Sequence, residues 1–282
     1  MNKVSDLEDI SLEVSRGNIE AVYLNGSGML YPRIETTDPL LQYHLREYLK
    51  NDAIAVWQYL FATYLKNLNA FGNLPFPGNM LNKLNVLEAA KNLGLAIPGY
   101  EIVYKRDRMN ELKETWERII CKPLADGVSI VTDEVIITGQ YTEEISSKDI
   151  AGFEDIFSPT LIQQLVAKIF EIRVFFFREK LYSLALFSQS DRTSQIDSRL
   201  NNLKSPQRQV PFILPDELQD KIKLLMSELT LDYGSLDFIV TPENNFVFLE
   251  VNPYGQYGFL SKSGNFYIEK EIAEYLCTSS KL

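Results

Sequence analysis

Apolar residues recur every three or four positions between residues 39 and 68, at Leu41, Leu45, Leu49, Trp57, Leu60, Phe61, Tyr64 and Leu65. That period predicts two helices, broken near Asn51-Asp52. Ahead of them, Ile-Glu-Ala-Val-Tyr-Leu at 19–24 suits one strand and Asn25-Gly26-Ser27-Gly28 a turn. One strand cannot make a domain, so the helices are expected to cover it. Two prolines and two glycines within 72–78 then read as a linker.

Beyond the linker, Asn82 is placed to cap a helix whose inward face is Leu84, Leu87, Ala90 and Leu93, with Gly94 closing it. Strands are predicted at 100–104, 118–122, 129–132 and 135–141, with a helix around 109–116. Segments 170–178 and 181–188 read as a hairpin turning at Glu179-Lys180. An amphipathic helix at 215–229 runs through Leu218, Ile222, Leu225 and Leu229, and strands at 235–240 and 245–251 flank Thr241-Pro242-Glu243-Asn244. Helices and strands mix without a regular βαβ repeat, which predicts an α+β fold.

Length and charge narrow the function classes. The 282 residues suffice for about two domains. Aromatic residues make up 12% of the chain and charged ones 23%, and no apolar run approaches the roughly 18 residues of a membrane span. A net charge of -10 disfavours a general grip on nucleic acid, so any phosphate ligand needs a few local cations. Two distant cysteines, Cys121 and Cys277, and no secretory leader suit a reducing cytoplasm. The single histidine, His44, reads as a packed helix residue and leaves no basis for Ser-His-Asp chemistry or histidine-rich zinc sites.

The strongest chemical signal is near the carboxyl end. Strand alternation puts Glu250 and Asn252 on one face. If 242–245 form a four-residue loop, Thr241 pairs with Phe246, and counting back sets Asp237 opposite Glu250. Like charges so opposed destabilise a half-buried sheet unless a cation lies between them, and this oxygen set suits Mg²⁺ beside phosphates. The alternative is that both carboxylates face solvent.

A nucleotide then needs cations elsewhere. Lys122 ends an apolar strand, and the small-residue loop that follows, containing Gly127, can turn N–H groups toward phosphate. Lys83, taken alone, is better read as a solvated side chain. Gln164, Leu165 and Val166 can offer a backbone edge to a nucleobase. Glu171 and Arg173 share a face; either they form an exposed salt-bridged strand or Arg173 holds a phosphate or acyl phosphate. Asp197-Ser198-Arg199 lies in a polar stretch that is either a surface loop or a substrate contact.

In this order, Asn82-Lys83, Lys122-Pro123 with its loop, Glu171-Ile172-Arg173-Val174, and Asp237 with Leu249-Glu250-Val251-Asn252-Pro253 resemble an ATP-grasp ligase over about residues 80–275. Within that superfamily, Ser188-Gln189, Asp197-Ser198-Arg199 and the stretch Asn252-Pro253-Tyr254-Gly255-Gln256-Tyr257 resemble the peptide maturases that build graspetides, microviridin-type macrocycles. The nearest likeness is to the grasp-with-spasm group, named for a radical-SAM partner protein encoded beside the ligase.

The resemblance implies an ATP-grasp fold with a truncated N-terminal pre-grasp domain, because only about 37 residues precede the helical region. It divides the chain into a shortened lobe at 1–78 and a grasp domain at 79–282, with ATP-binding (79–167) and metal-binding (168–282) parts. It also implies roles: Lys83 and Lys122 on ATP phosphates, Gln164 to Val166 at adenine, Glu171 beside the nucleotide, and Asp237, Glu250 and Asn252 on Mg²⁺. Arg173 would stabilise an acyl phosphate, and Asp197 and Arg199 would contact the peptide loop being closed.

The expected partner is a ribosomal precursor peptide, leader plus core, in the cytoplasm; dimers are usual among such enzymes. An Asp or Glu side chain would be activated by ATP and captured by Ser, Thr or Lys. The rival readings are an amino-acid ligase of the ribosomal-protein glutamate-ligase kind and a nucleotide-binding remnant without turnover.

Overall fold

The computed structural model describes residues 21–25, 36–63, 69–73, 81–124, 129–131, 136–138, 142–187 and 208–278. In its N-terminal part, strand β1 (Ala21–Asn25), helix α1 (Pro39–Thr63) and strand β2 (Asn69–Asn73) form a crossover unit with β1 and β2 parallel. Three expectations fail here. Helix α1 runs unbroken through Asn51 and Asp52, because these residues lower helix propensity by only about 0.7 kcal/mol each and neither is Gly or Pro. Of the predicted stripe, Leu41 is exposed and Leu45 and Leu49 are half-buried; Ile54 is buried, and Leu40, Tyr43, Tyr48 and Tyr59, off that stripe, are exposed. Gly72 and Asn73, read as linker, end β2, and residues 26–28 and 74–78 of the expected turn and linker lie outside the described residues. His44 is exposed, with an edge contact to Tyr43, and not packed into the core.

Helix α2 (Lys83–Asn92) starts where its cap predicts. The Asn82 side chain accepts hydrogen bonds from the N–H groups of Leu84 and Asn85. At its far end Gly94, at φ +75°, donates to Lys91 O and Leu95 donates to Ala90 O, a Schellman closure. Its buried face is Val86, Leu87 and Ala90, with Leu84 and Leu93 only half covered.

The next body is a four-stranded sheet in the order β3 (Tyr100–Lys105), β8 (Ile156–Gln164), β4 (Ile119–Lys122), β7 (Glu143–Ile145). Helices α3 (Arg106–Trp116) and α4 (Ser147–Ala151) pack on it through Met109, Leu112 and Ile150 against Ile119 and Ile162. Strands β5 (Ser129–Val131) and β6 (Ile136–Thr138) form a separate antiparallel pair.

The last body is a five-stranded antiparallel sheet ordered β11 (Arg208–Pro211), β10 (Lys180–Phe187), β9 (Phe170–Phe177), β12 (Tyr233–Val240), β13 (Phe246–Asn252). One face is apolar: Ile172, Val174, Phe176, Leu236, Phe238 and Phe248 pack under α2 and helix α5 (Asp216–Glu228). Each such side chain contributes about 1.5–3 kcal/mol by burial. At one end of the other face, helices α6 (Gly258–Gly264) and α7 (Ile268–Thr278) cover Phe175, Phe177 and Tyr233. The β9–β10 turn is at Arg178 and Glu179, not one residue later, since Lys180 pairs with Phe177 and both turn residues have positive φ, 45° and 70°. Among the described residues no helix is long and apolar enough to cross a membrane.

Candidate functional site

Alternation along β9 and β12 sends Ile172, Val174, Leu236 and Phe238 into the core, so Glu171, Arg173, Ser235 and Asp237 project from the opposite face. Asp237 pairs directly with Arg173 on one side and with Glu250 on the other, and Ser235 pairs with Asn252. The expected meeting of Asp237, Glu250 and Asn252 on one face therefore holds, but not by the expected count. Val240, not Thr241, pairs with Phe246, because Thr241 turns into the loop: its N–H donates to Asn245 O and its hydroxyl accepts from the N–H groups of Glu243 and Asn245. A β-bulge between Asp237 and Phe238 then absorbs Leu249 as an extra residue and restores Asp237 to Glu250. The two one-residue offsets cancel.

Electrostatics mark this face. Arg173 and Asp237 form an ion pair with 14% and 23% of their side chains exposed, so neither charge is solvated fully. Burial, with repulsion from Glu250 and Glu171 added, pushes the Asp237 carboxyl up to about 7 against the opposing pull of Arg173. The Nε of Arg173 is the atom that meets the Asp237 carboxylate, and its guanidinium lies 5.8 Å from the Phe259 ring centroid at the start of α6. Asn252 Oδ1 accepts a 2.9 Å hydrogen bond from Tyr254 N–H, which fixes the amide's direction and leaves a second lone pair. Two carboxylates and this oxygen can hold one hard divalent cation.

The cationic residues gather on the other sheet. Lys83, on the first turn of α2, donates to Pro123 O at 3.3 Å, so it meets the segment that follows Lys122. Lys122 and Ile120 pair with Leu161 and Gln163, so these four share a face, opposite to Ile119 and Ile162 in the core. Residues 165–169 join β8 to β9. In this joint the expected nucleobase edge is partly used: Gln164 N–H donates to Gly99 O at 2.8 Å and Leu165 N–H to Arg118 O at 3.0 Å. Val166 N–H makes no main-chain hydrogen bond among the described residues.

Two residues were missed by sequence reasoning. Gln163 is 1% exposed, and its Oε1 has no hydrogen-bond partner among the described residues; a glutamine directly after Leu161-Ile162 was the available signal. Lys168 forms a buried ion pair with Glu171, which the i, i+3 spacing across a strand start does not announce. Gly127, Asp197 and Arg199 lie outside the described residues.

No protein-family model matches the chain, and no curated protein matches it in sequence. Solved structures do. The macrocyclase MdnC from Microcystis aeruginosa MRC, bound with precursor peptide MdnA, is 22% identical over 93% of this chain and 79% of its own, with a TM-score of 0.75. A RiPP-associated ATP-grasp ligase from Chryseobacterium gregarium, in complex with ADP and a leader and core peptide, is 20% identical over 92% and 77%, with a TM-score of 0.72. D-alanyl-alanine synthetase A from Vibrio cholerae O1 biovar eltor is 17% identical over 80% and 72%, at a TM-score of 0.55. With its two sheets, the joint between them and the charged face of the second all described, this likeness shows that the chain has the ATP-grasp fold.

Proposed function

We propose that this chain is an ADP-forming, Mg-ATP-dependent ligase that activates Asp or Glu side chains of a ribosomal precursor peptide and closes ω-ester or ω-amide macrocycles. The observation that carries the reading is the row Arg173, Asp237, Glu250 across three adjacent strands on the polar face of one sheet. The donor set fits Mg²⁺: a carboxylate raised first by burial and further by its acidic neighbours is relieved by a dication at that point. Bound there by Asp237, Glu250 and Asn252, the ion would supply positive charge to phosphate oxygens.

The chain's own groups would do the rest. Lys83 and Lys122 hold the phosphates, with the N–H groups of the Gly127 loop. Val166 N–H donates to the base, and Gln163 Oε1, unpaired among the described residues, accepts from an exocyclic amine. Glu171, with Lys168, closes the nucleotide pocket where the two sheets join. The substrate carboxylate attacks the γ-phosphate, giving an acyl phosphate and ADP. Arg173 offsets the charge on that acyl phosphate while a Ser, Thr or Lys side chain displaces phosphate. Asp197 and Arg199 orient the peptide loop. On this reading residues 1–78 form the N-terminal lobe, 79–167 the ATP-binding part and 168–282 the metal-binding part. MdnC, solved with its precursor peptide, and the Chryseobacterium ligase, solved with ADP and leader and core peptide, support the reading.

Incubation of the protein and Mg-ATP with a candidate precursor tests it by mass spectrometry. Loss of one water per ring, with one ADP released, is expected, and Glu250→Gln should abolish both. A gain of one whole amino acid would instead favour an amino-acid ligase, the reading that the likeness to D-alanyl-alanine synthetase A supports.

A further inference from the structure

Resting on the magnesium reading above, we infer that Tyr233 is a positioning residue for the metal ligand Asn252, and that Tyr23 ties the N-terminal β1–β2 pair to the same point. Tyr233 lies four residues before Asp237 on β12, so both project from the same face. It is fully buried. Its hydroxyl lies 2.7 Å from Tyr254 O and 2.8 Å from Gly255 O and donates to both. Two residues along, on the same strand face, Ser235 Oγ reaches Gln256 O at 3.5 Å. Three successive carbonyls after Asn252 are thus turned inward onto hydroxyls of β12.

Residue 254 links these contacts to the ligand. Its carbonyl is held by Tyr233, and its N–H is the donor that fixes Asn252 Oδ1. Gly255 allows the close approach: its φ is +46°, and a Cβ there would sit 2.7 Å from Cζ of the Tyr233 ring. A phenol has one proton. Since Tyr233 directs its own to the two carbonyls, the 2.9 Å contact with Tyr23 must run the other way, with Tyr23 donating to the Tyr233 oxygen. Burial, the main cause, raises both phenols, Tyr233 to about 12, so both remain protonated donors at neutral pH. The relay then reads β1, Tyr23, Tyr233, residue 254, Asn252.

Loss of the Tyr233 hydroxyl leaves two inward carbonyls without their donor and lets the 252–255 turn rotate, which moves an outer partner of a metal ligand rather than the ligand itself. The test titrates Mn²⁺ in the presence of saturating ADP, reading free Mn²⁺ by electron paramagnetic resonance, and separately measures ADP affinity in EDTA. Glu250→Gln should lose the Mn²⁺ site. Tyr233→Phe should weaken Mn²⁺ by roughly tenfold and Tyr23→Phe by a smaller factor, both with metal-free ADP affinity unchanged, a split that general loosening of the fold would not produce. Tyr23→Phe carries the test if Tyr233→Phe does not fold. Wild-type Mn²⁺ affinity in both phenylalanine variants, alongside loss in Glu250→Gln, overturns this inference and leaves the magnesium reading intact. Absence of Mn²⁺ binding in the unaltered protein overturns both.

Discussion

The two faces of the five-stranded sheet are built from the same strands and do opposite work. On one face Ile172, Val174, Leu236, Phe238 and Phe248 are buried to within 1% exposure beneath α2 and α5. On the other, alternate residues of the same strands place Arg173, Asp237 and Glu250 side by side. The first face contributes stability through apolar area removed from water. The second spends some of it, since a carboxylate raised to about 7 is charged at neutral pH only at a cost to the fold. A rigid packed face is what lets the opposite one hold repelling groups in register.

Four experiments break or sharpen this contrast. The largest effect is expected for Phe238→Ala on the packed face, a loss of about 3–5 kcal/mol in urea unfolding, with activity failing only because the protein unfolds. On the polar face Glu250→Gln should do the reverse: turnover falls by roughly 100-fold or more, while unfolding stability in the absence of metal is unchanged or slightly raised.

The third experiment uses pH. The folded carboxyl of Asp237 titrates above its unfolded value of 3.8, so the folded state binds the extra proton between the two. Its contribution is fully present below about 4 and is lost as pH rises toward 7. The metal-free protein should therefore lose roughly 2–3 kcal/mol of stability from pH 5 to 7.5, several degrees in Tm. Asp237→Asn should flatten that slope, and equal slopes in the two proteins would refute the assignment. The smallest effect lies away from either face: Glu179 holds φ +70° in the β9–β10 turn, and Glu179→Gly should add about 0.4–1 kcal/mol, read by the same melts.

Much of this was legible in advance where a local rule applied. Asn82 and Gly94 marked both ends of α2, because capping uses atoms within a few residues of each other. Alternation placed Glu250 with Asn252 and Glu171 with Arg173. Rules that need a count across a loop did less well. The Asp237–Glu250 pairing was reached through a register wrong by one residue and rescued by a bulge that no spacing announces. The pattern signalled helix over 39–63, though as two pieces, but not that Leu41 on its stripe would be exposed, since periodicity reports a stripe and not what lies against it.

The chain's own order of residues determined which side chains share a strand face and where helices start and stop, because those depend on neighbours a few bonds away. Folding in three dimensions decided the rest: that β1 pairs with β2, that Gln163 is fully buried, and that Tyr23 reaches a phenol 210 positions along the chain. Such contacts depend on how whole sheets pack, a property of many distant residues at once, and no local pattern encodes them.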